Sequence, residues 1–330
     1  MGNKHSKRVN LGRLSHPSGS FPVSLTSQPD AKSSAPIDLR RVRALFDAPA
    51  RIVESSFLRR EVASRMHERL VLVKIAPQRV LDAGCGEGAD LPALQKCYAA
   101  AQMLGVDAAP AMLASARSHQ LAAQPSMTRL LARLGLGTAS GAALLCGDFA
   151  QLPMKANAVD LIWSNLALHW HPQPDRVFAE WRRVLSIDGL LMFSCFGPDT
   201  FKELRAAFTA ADALPHALPF VDMHDFGDML VNVGFSTPVM DMETITVTYE
   251  SADKLMADAR AWGGNPLLTR RRALLGRQAW LRVLQAFDAL RRPDGRIPLT
   301  FEIIYGHAFR PAPRTTSSGE AIIRLDLHRK

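Results

Sequence analysis

Four cysteines in 330 residues, at positions 85, 97, 146 and 195, never fall into a C-x-x-C pair. That argues against a disulfide framework or a cysteine-based zinc site and suits a reducing compartment. Long apolar runs are missing too. None approaches the roughly 18 uninterrupted residues of a membrane span, so no membrane role is expected. The N-terminus has no apolar core of a secretory leader, and a cytoplasmic location is expected. No internal repeat is visible, and no nucleophile–base pair stands out. What remains is an ordinary globular composition, 47% hydrophobic and 22% charged, long enough for a large core and one or two domains.

The net charge of +9 is unevenly placed. Residues 1–36 hold five Lys/Arg against one Asp, and residues 267–296 hold eight Arg against two Asp. The rest of the chain is close to neutral. A basic segment of this kind can meet nucleic acid, anionic lipid or an acidic protein. Residues 1–36 are rich in Ser, Pro and Lys with no hydrophobic period, and are expected to be a disordered tail. Gly2 and Ser6 fit an M-G-x-x-x-S acylation pattern, although an extended or misassigned start explains them more simply. Residues 37–311 form the expected domain, and 312–330 a loose C-terminal tail.

Within that domain strands and helices alternate. Helical spacing runs from Asp38 to Ile75 through Phe46, Phe57, Leu58, Val62, Met66, Leu70 and Val73, and these helices are placed to cover a ligand. A buried strand at 79–83 leads into a helix reaching about Ala101. Further strands are expected at 103–106, 143–146, 159–164 and 190–196. Helices are expected at 111–121, with Pro110 at its start, and at 174–186, ended by Asp188-Gly189. Residues 124–142 read as an excursion. After helices at 200–211 and 222–233, strands at 239–249 and 297–309 enclose a mostly helical stretch. There Ala273, Trp280, Leu284 and Phe287 share one face, with arginines on the other. Such an alternation calls for a doubly wound, mostly parallel α/β sheet with helices on both faces. Residues 250–296 read as a helical cap over its carboxyl edge, inserted before the last strand.

The stretch R-V-L-D-A-G-C-G-E-G-A-D (79–90) turns this scaffold into a cofactor site. A strand ends on Asp82 and opens into Gly84, Gly86 and Gly88, which permit positive φ and close approach of a ligand to the backbone. A dinucleotide loop would read G-x-G-x-x-G, and a pyrophosphate would avoid the anion at Asp82. S-adenosylmethionine, with its ammonium and sulfonium and no phosphate, suits acidic side chains. Asp107, at the end of the second strand, is placed to accept both ribose hydroxyls. Asp148 is placed for the adenine amino group, with Phe149 against the ring. Taken alone, each of these aspartates also reads as a helix cap.

V-L-D-A-G-C-G-E-G, L-G-V-D-A-A-P-A-M-L, G-D-F-A-Q-L-P and D-L-I-W-S-N-L-A-L-H-W together resemble the motifs of class I S-adenosylmethionine-dependent methyltransferases. The resemblance implies a Rossmann-like fold with a seven-stranded sheet. It also places Ala108 and Met112 at the cofactor and Asn165 and Leu166 at the methyl-transfer site. S-N-L-A-L-H-W (164–170), L-T-R (268–270), the helical insert and R-I-P-L-T-F-E-I-I-Y-G (296–306) are closer still to the malonyl-acyl-carrier-protein O-methyltransferases of biotin synthesis, the BioC type. An N-terminal tyrosine of that family has no counterpart between Phe46 and Phe57. F-G-P-D-T-F-K-E-L-R (196–205) and S-S-F-L-R-R-E-V-A-S-R-M (55–66) instead resemble a complex I assembly factor that hydroxylates arginine on the same fold. Fold alone does not choose between these chemistries.

The first family implies methylation of a malonyl carboxylate, which needs a cation or donor for that group and a basic surface for the acidic carrier protein. Candidates for the surface are Arg270, Arg271, Arg272 and Arg277, which equally fit a solvated helix face. Candidates for the carboxylate are a cap arginine or His169. His169-Trp170-His171 is not read as a metal pair, and no metal is expected. A nucleic-acid methyltransferase would carry N-P-P-[YW] or D-P-P-[YW] where S-N-L-A stands, so no nucleic acid is expected. A monomer is expected.

Overall fold

A computed structural model describes residues 36–49, 56–125, 141–262 and 264–313, all within the compact unit Lys32–Lys330. The expected disordered tail up to residue 35 (with Gly2 and Ser6), residues 126–140 of the excursion and the tail from 314 lie outside the described residues.

A doubly wound sheet organises them. Strands β1 (Arg79–Ala83), β2 (Gln102–Asp107), β3 (Ala143–Cys146), β4 (Val159–Asn165), β5 (Leu185–Phe196), β6 (Ser236–Tyr249) and β7 (Ile297–Phe309) lie in the order β3-β2-β1-β4-β5-β7-β6. β7 alone runs antiparallel to its neighbours. Val80 to Ala83 are buried, as a central parallel strand covered on both faces requires. In register, Asp82 faces Gly105 on β2 and Trp163 on β4. The ends of β1, β2 and β4 therefore bring Asp82, Asp107 and Asn165 to one edge.

Two cores flank the sheet. On one face α2 (Ser56–Val71) buries Leu58, Val62 and Met66 alongside Trp163 and Phe301. Each such side chain contributes about 1.5–3 kcal/mol on leaving water. On the other face α5 (Pro174–Val184) and α7 (Met223–Val233) bury Phe178, Trp181, Phe226 and Leu230 against β5. α7 has clear end signals: the Asp222 side chain accepts from His224 N–H at 2.8 Å, and Gly234 closes the helix at φ +96°. α3 (Leu91–Cys97) and α4 (Pro110–Ala123) follow β1 and β2. α1 (Leu39–Phe46) is capped by Asp38, whose side chain accepts from Arg41 N–H at 3.2 Å.

Two expectations need correction. Asp188-Gly189 does not end a helix. α5 stops at Val184, and Leu185 is already paired with Val159. Residues 186–189 loop out before Leu190 resumes pairing, with Asp188 at φ +60° and its N–H donating to Arg310 O at 2.8 Å. The second helix of the insert, α9 (Arg277–Ala289), begins after Ala273, so Ala273 is exposed and shares no face with Phe287. The insert does lie at the carboxyl edge, where Trp262 packs on Phe196, the last residue of β5, with ring centroids 6.3 Å apart. α8 (Ala252–Ala261), Trp262 and α9 pack against α6 (Lys202–Thr209) and the ends of β6 and β7. Those ends project past β5, because Phe196 pairs with Ile303 while β7 starts at Ile297.

Candidate active site

A cavity of about 800 Å³ opens at the edge where β1, β2 and β4 end. Its floor is the glycine loop. Gly84 (φ +82°) has its missing Cβ aimed at Ala167, where a methyl group would lie 2.4 Å from the Ala167 Cβ. Gly86 (φ +53°) is different: a Cβ there would meet nothing within 4 Å, because the cavity lies beside it. One glycine is needed for packing, while the other leaves open space beside the loop.

Asp82, Asp90 and Asp107 all line this cavity. Burial is the main cause that raises the pKa of each, and for Asp82 the charges of Asp90 and Asp107 push in the same direction. Asp107 accepts from Gly86 N–H at 2.9 Å and from Ala109 N–H at 2.8 Å, so it also tethers the loop to β2. Asp90 accepts from Trp163 Nε1 at 2.9 Å and Asn165 Nδ2 at 3.0 Å. Three partly desolvated carboxylates around one space make a site that favours a cation. The donor chemistry read from the sequence, an ammonium and a sulfonium without phosphate, fits that floor.

Ala108, Met112, Asp148 and Phe149 line the same cavity. Asp148 accepts from Ala150 N–H at 2.8 Å, and the Phe149 carbonyl is held by Trp181 Nε1 at 3.1 Å. Asn165 and Leu166 are also on the wall. The Asn165 amide is engaged on both sides: Nδ2 donates to Asp90 and to the Arg59 carbonyl (3.1 Å), while Oδ1 accepts from Ser194 Oγ (2.9 Å). Leu166 sits at φ +50° with its N–H on Ser194. A left-handed non-glycine residue of this kind costs about 1–3 kcal/mol and is held by its surroundings.

His169 does not line this cavity. It is buried among Trp170, Phe196 and Phe220, with Nδ1 receiving Phe196 N–H at 3.4 Å and Nε2 without a partner. Burial lowers its pKa to about 3, so the ring is neutral at pH 7. Of the four insert arginines, Arg271 pairs with Asp212 at 2.8 Å and also holds the carbonyls of Ala273 and Leu274. Arg270 holds the Leu267 carbonyl at 2.8 Å. Arg272 and Arg277 are exposed. No described residue of 250–296 lines the cavity.

The roof comes instead from the N-terminal helices expected to cover a ligand and from Trp170. Leu39, Arg43 and Phe46 of α1, Arg59 of α2 and Trp170 line the cavity, with Phe46 and Trp170 edge to face at 5.4 Å. Helical spacing predicted these helices but not which face meets a ligand. The insert holds the start of this roof. Ile37 bridges Leu267, Asp38 N–H donates to Pro266 O at 3.0 Å, and Leu268 N–H donates to Pro36 O at 2.9 Å. The F-G-P-D-T-F-K-E-L-R stretch lies elsewhere. Asp199 N–H donates to Glu302 at 2.6 Å, Thr200 Oγ1 to the Glu302 carbonyl at 3.0 Å, and Thr300 N–H to Glu203 at 2.9 Å. It is a junction between α6 and β7, with no residue on the cavity.

Residues 81–193 match the family described as a methyltransferase domain. A malonyl-[acyl-carrier protein] O-methyltransferase of Laribacter hongkongensis is 49% identical over 296 residues, covering 88% of this chain and 97% of that protein. The chain belongs to the malonyl-[acyl-carrier protein] O-methyltransferase family. The Gallionella capsiferriformans protein of the same name is 43% identical over 293 residues, with 88% and 97% covered. Among solved structures, the YcgJ protein of Bacillus subtilis superposes with a TM-score of 0.50 over 75% of this chain and 98% of its own. At 15% identity that likeness concerns the fold alone. The architecture is the Rossmann-like class I methyltransferase fold that the motif resemblance implied.

Proposed function

We infer that this protein transfers a methyl group from S-adenosylmethionine to the free carboxyl of a malonyl group carried as a thioester on acyl carrier protein. The observation that carries this is the 49% identity to the Laribacter protein across 97% of that protein's length. Support for the donor comes from the acidic cavity floor and from the open space beside Gly86. When bound, S-adenosylmethionine supplies an electrophilic methyl on a sulfonium leaving group. Asp82 would face its ammonium, Asp107 the ribose hydroxyls, and Asp148 with Phe149 the adenine.

The malonyl carboxylate is ionised at pH 7, so no general base has to remove a proton. His169, neutral and off the cavity, is not needed as one. Catalysis then rests on holding the attacking oxygen in line with the methyl group, which is worth up to about 7–11 kcal/mol. Asn165 fixes the wall at that point by tying β4 to α2 and to Asp90. Phe46 and Trp170 roof the cavity and keep water away from the reacting atoms. Arg272 and Arg277, exposed on the insert, offer a basic surface to the acidic carrier protein. Expressed in a bacterium that lacks its carboxyl methyltransferase of biotin synthesis, the chain should restore growth without biotin. Soluble protein without rescue would contradict the reading.

A further inference from the structure

We propose that Arg59 of α2 is the cation that seats the malonyl carboxylate beside the methyl group, an inference that rests on the acceptor named above. The need for a cation follows from the cavity itself. An anionic acceptor must enter a space floored by Asp82, Asp90 and Asp107, and without a nearby positive charge it would be repelled. Four arginines line this cavity, Arg40, Arg43, Arg59 and Arg60. Three are exposed, and Arg59 alone among them is half-buried.

Its backbone is fixed at the Asn165 wall of the cavity. The Arg59 carbonyl accepts from Asn165 Nδ2 at 3.1 Å, which ties this residue to the end of β4. Its guanidinium lies 5.9 Å from the centre of the Trp262 ring, which belongs to the insert. Glu87 and Asp90 of the glycine loop act on the same guanidinium by their charge. Arg59 thus stands where the glycine loop, the methyl-transfer wall and the insert meet. A planar guanidinium suits a carboxylate there, because it can hold one oxygen while the other stays free to attack.

The chemistry sets a kinetic signature. The carboxylate oxygen bonds to the methyl carbon as the carbon–sulfur bond breaks, and the sulfur keeps the electron pair. The acceptor's negative charge and the sulfonium's positive charge cancel along the way. Arg59 therefore binds the charged substrate better than the transition state or the neutral ester. It raises acceptor affinity and favours product release, and it does not accelerate the chemical step.

The donor's own α-carboxylate is the other anion that could meet this arginine, and the test separates the two. Full-length wild-type, Arg59→Gln and Arg59→Lys proteins are assayed with malonyl-acyl-carrier protein, donor affinity is measured by calorimetry, and Tm is recorded. Expected for Arg59→Gln is a roughly 10- to 100-fold rise in KM for the acceptor, the loss of one charge-assisted hydrogen bond. Its kcat should hold or rise, its donor Kd and Tm should stay near wild-type, and Arg59→Lys should recover part of the KM. A rise in donor Kd with unchanged acceptor KM would reassign Arg59 to the donor and overturn the proposal. A fall in Tm with unchanged KM would make Arg59 a structural anchor and equally overturn it. Wild-type protein that forms no methyl ester would instead refute the function on which the proposal rests.

Discussion

Gly84→Ala and Gly86→Ala are the same chemical change two residues apart, and the structure gives them opposite consequences. Both positions have positive φ, +82° and +53°, so each alanine meets a left-handed penalty of about 1–2 kcal/mol. At Gly84 the new methyl also lies 2.4 Å from the Ala167 Cβ, on backbone that cannot rotate away. Overpacking of that kind adds about 1–3 kcal/mol. Gly84→Ala should therefore lose about 2–5 kcal/mol in urea unfolding, a large part of the roughly 5–15 kcal/mol a domain possesses. At Gly86 the methyl enters the cavity and touches no protein atom within 4 Å. Gly86→Ala should lose only the left-handed penalty, about 1–2 kcal/mol, while its affinity for S-adenosylmethionine collapses in calorimetry. Equal destabilisation of the two variants would refute the assignment of one glycine to packing and the other to the ligand. So would unimpaired donor binding by Gly86→Ala.

Asp107→Ala should weaken donor binding and also cost about 1–3 kcal/mol of stability, because two loop N–H groups lose their acceptor; a variant as stable as wild-type would show that Asp107 acts on the ligand alone. His169 holds its proton less tightly folded (about 3) than unfolded (about 6.5), so its neutral form stabilises the fold above that range. Between pH 6.5 and 3 the unfolded state binds the extra proton, and stability should fall on acidification by up to about 1.4 kcal/mol per pH unit from this group. His169→Phe should flatten that slope in a pH series of urea melts, and an unchanged slope would mean the ring is protonated in the fold. Arg271→Glu should lower Tm, since Arg271 pairs with Asp212 and holds two carbonyls. Arg272→Glu and Arg277→Glu should leave Tm and donor affinity alone and raise KM for the carrier protein; an unchanged KM would return both to a solvated face.

The sheet and the cofactor edge were legible because their signals are local. Val80-Leu81 before three alternate glycines, and aspartates ending successive strands, place Asp82, Asp107 and Asp148 at one edge by strand geometry alone. All three line the cavity. The roof was legible as helices placed over a ligand, but not by which side chains. In α2 the period of Leu58, Val62 and Met66 marks the core side, but an arginine at the edge of that stripe reads the same whether it faces water or a cavity. Arg59 lines the cavity. Arg271 failed in the converse sense: its partner Asp212 is 59 residues away in sequence, so a structural ion pair looked like a docking charge. His169 sits in a motif at the edge of the site, yet its side chain turns into the core between Trp170 and Phe196. The Asp188-Gly189 turn misled because a stop signal after an amphipathic helix resembles a loop between two strand segments stitched to Arg310.

The most direct test of the central claim is the mass of malonyl-acyl-carrier protein after incubation with the purified chain and S-adenosylmethionine. Expected is the gain of one methyl ester per malonyl group, removed by mild base and absent when acetyl replaces malonyl on the carrier. Unchanged mass, or a base-stable methyl group elsewhere on the carrier protein, would contradict carboxyl methylation as the activity of this fold.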